Sequence, residues 1–129
     1  MTKTPKMQPA IRIIAMPADT NAAGDIFGGW IISMMDLAAG NVASRRCRGR
    51  AVTVAIDAVS FHRPVRVGNE ISVYAEVVSV GRTSMKIDVQ AWQRDQTGDR
   101  MDKVTQATFT FVAVDKAGTP KPIEPDEPA

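Results

Sequence analysis

At 129 residues, 44% hydrophobic and 23% charged, the chain has room for one domain with a real core and not for two. One cysteine, Cys47, rules out an intrachain disulfide and a Cys-rich zinc cage, and a single histidine, His62, argues against a histidine triad or metal cluster. The formal charge of +2 hides an asymmetry: the last fifteen residues hold four acids and two bases, which leaves 14 bases against 10 acids in the body.

No apolar run approaches the ~20 residues a membrane span needs. Arg12 interrupts the N-terminal apolar stretch before a signal-peptide core could form. The expectation is a cytoplasmic protein with no membrane span. The bases of the body are not interleaved with aromatics, which argues against nucleic acid and suits a small polyanion.

In chain order, Pro9 to Met16 carries Ile11, Ile13 and Ile14 and reads as a first strand. Pro17 to Gly29, rich in Asp, Asn and Gly, reads as a loop. From Trp30 to about Arg46 the spacing of Phe27, Trp30, Ile31, Met34, Ala38 and Val42 predicts an amphipathic helix, closed by Arg45, Arg46 and Arg48 with Gly49 as the stop. Four period-two stretches follow, with Val52, Val54, Ile56, then Ile71 to Val77, Met85 to Ala91 and Ala107 to Ala113 as their apolar faces. Gly81-Arg82-Thr83 is short enough for a hairpin, and Gln96 to Asp99 reads as a turn. The last residues hold half of all the prolines and read as an irregular end outside the core. One helix and about five strands make an α+β domain over residues 1–118, followed by a Pro-rich acidic tail over 119–129. Such a thin layer pair has open sheet edges, so a second copy is expected to cover one.

Two features carry chemistry. Gly29, Ser33, Asp36, Gly40 and Ala43 fall on one helical stripe, predicted to lie opposite the apolar side and to let a second backbone approach. Spacing leaves Asp36 open between a solvated or Arg-capped aspartate and a carboxylate in a narrow cleft, serving as base or nucleophile. Gly28-Gly29 at the helix start is either a tight turn or a pair of free backbone N–H groups that polarise a carbonyl. Eight residues of helix separate Gly28 from Asp36, about 12 Å, too far to act on one carbonyl. If both act together, Asp36 must come from a second subunit with an antiparallel helix.

The string Met16-Pro17-Ala18-Asp19-Thr20-Asn21-Ala22-Ala23-Gly24-Asp25-Ile26-Phe27-Gly28-Gly29-Trp30, continued to Met35-Asp36, resembles the hotdog-fold acyl-CoA thioester hydrolases of the YciA type and the related eukaryotic cytosolic acyl-CoA hydrolases. The likeness continues through Val52-Thr53-Val54, Phe61-His62-Arg63-Pro64-Val65, Gly81-Arg82-Thr83-Ser84 and Phe109 to Asp115. The resemblance implies a hotdog fold, a five-stranded antiparallel sheet wrapped around a central helix, in homodimers joined sheet edge to edge and assembled as trimers of dimers. It implies hydrolysis of an acyl-CoA thioester to free acid and CoA, with no metal and no cofactor, CoA being part of substrate and product. Carried over, the catalytic carboxylate falls on Asp36 and its partner amide on Asn21, which would bind the water or the carbonyl. The Gly28-Gly29 backbone would polarise the thioester oxygen. Thr53, Arg63, Gly81, Arg82, Thr83 and Ser84 match positions along the nucleotide of CoA, Arg82 being the phosphate partner. The rival readings are an acyl-thioester dehydratase or hydratase on the same fold, which would need a His paired with an acid, and a non-catalytic acyl-CoA sensor lacking the carboxylate.

Overall fold

A computed structural model describes residue 5 and residues 7–126. The alternating stretches form strands, all but the first longer than the period-two patterns alone mark out. They are β1 (Ile11–Ile14), β2 (Arg50–Phe61), β3 (Glu70–Val80), β4 (Ser84–Arg94) and β5 (Met101–Val114). They pair antiparallel in the order β1-β3-β4-β5-β2, so β1 and β2 are the edges. Ile71, Val73, Met85, Ile87, Val89, Ala91, Phe109 and Ala113 are fully buried on one face, as their alternation predicts.

Helix α1 (Gly28–Cys47) lies on that face, against β3, β4, β2 and β5. It begins two residues before Trp30, so Gly28 and Gly29 are its first turn rather than a preceding bend. It ends with Arg48, not Gly49, in the left-handed cap conformation (φ 54°). The buried arc is Ile31, Met35, Ala38, Ala39 and Ala43 with Trp30 and Cys47, whereas Phe27 is the exposed N-cap.

This corrects the expected orientation of the small-residue stripe. Ala43 is in the core, and a Cβ on Gly40 would stand 3.5 Å from the Phe111 ring. Gly40 makes room for the Phe111 ring of this chain's own β5, the large-into-small matching that fills a core without voids. The exposed row is Gly29, Ser33, Leu37, Asn41 and Arg45, with Asp36 at the rim between the two.

A second correction concerns β2. Val52, Val54 and Ile56 do not share a face. Thr53 pairs with Phe111 and Ile56 with Phe109, both inward-facing residues, and Val54 is the extra residue of a bulge between them. The inward set therefore switches from odd to even positions, and Thr53 turns toward the helix. A second irregularity follows between Asp57 and Ser60, with Ala58 at φ 54°. Val54, Ile56, Val59 and Phe61 remain exposed along this edge.

The chain end is irregular, as its prolines predict, yet it is packed. A turn at Asp115 to Thr119 reverses the chain, and Ile123 packs against the core.

Candidate active site

Asp36 sits on the third turn of α1, half-buried between Met35 in the core and the exposed Leu37. Its neighbour across the layer is Thr53, whose hydroxyl donates a 2.6 Å hydrogen bond to Asp36 Oδ1. An O–H···O⁻ bond this short is charge-assisted and strong, and it holds one carboxylate oxygen while the second has no partner among the described residues. Sequence reasoning placed Thr53 along the nucleotide; the structure sets it on the carboxylate. The signal was hidden by the Val54 bulge, which no period-two pattern announces.

The helix start is built for an acceptor. Phe27 offers no side-chain cap, and no acid lies in the first turn. The N–H groups of Gly28 and Gly29 are therefore left for an incoming oxygen, with the positive end of the dipole behind them. A Cβ on Gly28 would stand 3.1 Å from the ring of Phe61, so glycine is what allows that ring to close over the first turn. A cavity of about 280 Å³ opens here, lined by Ile26, Gly28, Ile31, Phe61, His62, Arg63, Pro64 and Val65. The contact of Phe61 with Gly28 spans 33 positions of sequence and is visible only in the fold.

Asn21 lies in the loop before the helix. Its Oδ1 accepts from the N–H groups of Ala23 (2.9 Å) and Asp25 (3.1 Å), the bonds of a turn asparagine. Two donors on one oxygen orient the amide and leave Nδ2 as its free, donating end.

His62 and Arg63 also line a larger cavity of about 830 Å³, with Trp92, Arg100, Met101, Asp102 and Lys103. His62 has the Ser60 hydroxyl as its side-chain partner, at 3.3 Å, and no carboxylate among the described residues. Arg63 and Arg82 make no ion pair or side-chain hydrogen bond with a described residue, and no described group of His, Cys, Asp and Glu could hold a metal ion.

The expected site residues fall into two separate halves. Thr53, Phe111 and Met85 share one row of the sheet, with Gly81-Arg82-Thr83-Ser84 just beyond it at the start of β4. Asp36 therefore belongs with the Gly81–Ser84 turn. Phe61 pairs with Thr105, six residues and about 20 Å back along β5, so His62 and Arg63 lie toward the other end of the sheet, where Phe61 meets Gly28 at the start of the helix, about 12 Å from Asp36. Both halves border β2, the open edge.

A model of the thioesterase superfamily matches residues 23–99, more than half of the chain. The chain belongs to the thioesterase superfamily. Among its relatives in that superfamily, an uncharacterized acyl-CoA thioester hydrolase of Zymomonas mobilis is 52% identical over 121 residues, covering 94% of this chain and 81% of that one. The acyl-CoA thioester hydrolase YciA of Salmonella typhimurium is 43% identical over 127 residues, 95% of each chain. The crystal structure of a hexameric thioesterase from Yersinia pestis superposes with a TM-score of 0.89 at 40% identity, over 95% of this chain and all of that one. The thioesterase-superfamily match spans Gly28, Asp36, Thr53 and Arg82 alike, while Asn21 lies two residues before its start.

Proposed function

We propose that the chain hydrolyses acyl-CoA thioesters to the free acid and CoA at a site shared between two copies. The observation that carries this reading is the division of the site. A hydrogen-bonded carboxylate and an uncapped helix start are too far apart to act on one carbonyl, yet both border the same exposed edge strand. Pairing two β2 strands antiparallel sets the Asp36 half of one copy beside the helix start of the other. It also covers Val54, Ile56, Val59 and Phe61, whose exposure is otherwise a liability for an edge.

In this arrangement Gly28 and Gly29 donate their N–H groups to the thioester oxygen, and Nδ2 of Asn21 holds the carbonyl or the attacking water. Asp36, oriented through Oδ1 by Thr53, takes a proton from water with its other oxygen. The water oxygen adds to the carbonyl carbon, the C–S bond breaks, and the thiolate of CoA leaves with the proton. Arg82 meets a phosphate of CoA, with Thr83 and Ser84 beside it. No cofactor enters the scheme, since CoA is part of substrate and product.

The hexameric state of the named neighbour supports a trimer of such dimers here. No described helix is long and apolar enough to cross a membrane. A lone thiol at Cys47 and an intracellular substrate support a cytoplasmic setting. The dehydratase reading lacks its acid, because His62 pairs with a serine, and the sensor reading is opposed by the presence of Asp36.

The test is thiol release from a chain-length series of acyl-CoAs. Asp36→Asn is expected to lower turnover about 10²–10⁴-fold, the range for a general base, with CoA binding and the folded state retained. Turnover close to wild type in a folded Asp36→Asn protein would overturn the mechanism.

A further inference from the structure

The Arg82-Thr83 pair is the tip of a two-residue hairpin, closed by the Gly81 N–H on the Ser84 carbonyl at 2.7 Å. Hairpin tips are ordinarily where a chain is least constrained. Here both tip carbonyls are held from outside the hairpin. The Arg82 carbonyl accepts from the N–H of Ile123 (2.8 Å) and the Thr83 carbonyl from the N–H of Ala113 (2.9 Å). The Arg82 guanidinium itself stays without a partner among the described residues, so its backbone is fixed while its charge is unspent.

The segment that reaches Arg82 is anchored at several points. Asp115 Oδ1 accepts from the N–H groups of Ala117 and Thr119, both at 2.9 Å, and Gly118 takes φ 86° to complete the reversal. The N–H of Lys121 bonds the Ala113 carbonyl at 2.9 Å. Beyond Ile123, Arg46 on the last turn of α1 donates from Nη1 to the Glu124 carbonyl at 2.9 Å, and its Nε lies 3.2 Å from Asp126 Oδ1. Pro122 and Pro125 restrict the free chain and reduce the entropy lost on docking. One ribbon thus ties the end of α1 at Arg46, ten residues past Asp36, to the turn that carries Arg82.

We propose that residues 121–126 are a strap that positions Arg82 for a phosphate of CoA, with Ile123 and Arg46 as its positioning residues. The proposal rests on the reading of Arg82 as the phosphate partner. A guanidinium on a held backbone loses less freedom on meeting a phosphate, so the strap acts on affinity for the nucleotide end of the substrate and not on the chemical step.

The experiment measures kcat and KM by thiol release for Arg46→Met, Ile123→Pro and Arg82→Gln, each on a short acyl-CoA and on the matching acyl-pantetheine, which has the thioester but no phosphate. Ile123→Pro removes the N–H that holds the Arg82 carbonyl; Arg46→Met keeps the side-chain stem and removes both strap contacts. For both strap variants KM for acyl-CoA is expected to rise about tenfold, the loss of one charge-assisted contact, with kcat held and with acyl-pantetheine unchanged. Equal effects on the two substrates, or no effect on either, overturn the strap. If Arg82→Gln separates the substrates and the strap variants do not, the strap alone falls. If Arg82→Gln does not separate them either, the phosphate role of Arg82 falls with it. Should Ile123→Pro fail to fold, Arg46→Met decides the outcome.

Discussion

Thr105 lies on the inner face of β5 between Phe61 and Ala91, fully buried, and its hydroxyl has no hydrogen-bond partner among the described residues. A buried polar group left unsatisfied costs about 1–3 kcal/mol, while an isosteric apolar group at the same place costs nothing. Thr105→Val is therefore expected to raise the thermal midpoint by roughly 3–5 °C, which a melting curve checks; a lower midpoint would show that the hydroxyl has a partner in the assembled protein. Thr53 is the contrast, a threonine on the same inner layer whose hydroxyl is fully used at 2.6 Å on Asp36. Both residues are inward-facing threonines in strands, and nothing in their sequence neighbourhoods tells them apart. Asp36 was legible as a misplaced charge among Met34, Met35, Leu37 and Ala38. Its partner was not, because that pairing depends on which way β2 is facing seventeen residues later.

At the scale of elements, the helix and β3, β4 and β5 follow from periodicity, since each buries one face against the other layer and burial enforces the period. β2 escapes that logic. It is an edge with two irregularities, and its apolar residues are only partly covered by this chain, so the constraint that keeps alternation strict is weakened. Ala58 marks the second irregularity with φ 54°, a region that a β-branched side chain enters only with strain. Ala58→Val is expected to destabilise the fold by about 1–2 kcal/mol in urea unfolding, and Ala58→Gly to cost nothing. A neutral Ala58→Val would mean that the bend is not held in solution. The Gly40 and Ala43 end of the small-residue stripe faces inward, against the sequence expectation, for a related reason. Glycine and alanine signal close approach, but they do not say whether a partner helix or this chain's own Phe111 makes it.

For the whole molecule, the division of the site predicts complementation between defective copies. Neither Asn21→Ala nor Asp36→Ala subunits are expected to turn over alone. In a freely exchanging equimolar mixture half of the dimers are hybrids, each with one intact site, so about a quarter of wild-type activity should return. Thiol release followed during mixing, with subunit exchange monitored by mass, checks this; exchange without recovery would place the whole site within one subunit. The helix length alone, read off the sequence, already requires this sharing if Gly28 and Asp36 act together, and the sheet adds that both halves border the same open edge.

The sequence by itself determined the fold class, a single helix following two glycines, and a carboxylate among apolar neighbours, because these follow from local periodicity and from which side chains exist at all. Tertiary structure alone decided that Thr53 meets Asp36, that Phe61 closes over Gly28, that Arg82 lies at Asp36's end of the sheet, and that residues 121–126 bond both Arg46 and the Arg82 backbone. Each of those joins residues far apart in the chain through a bulge, a register or a reversal, and the energy of such contacts comes from packing between layers rather than from any local propensity.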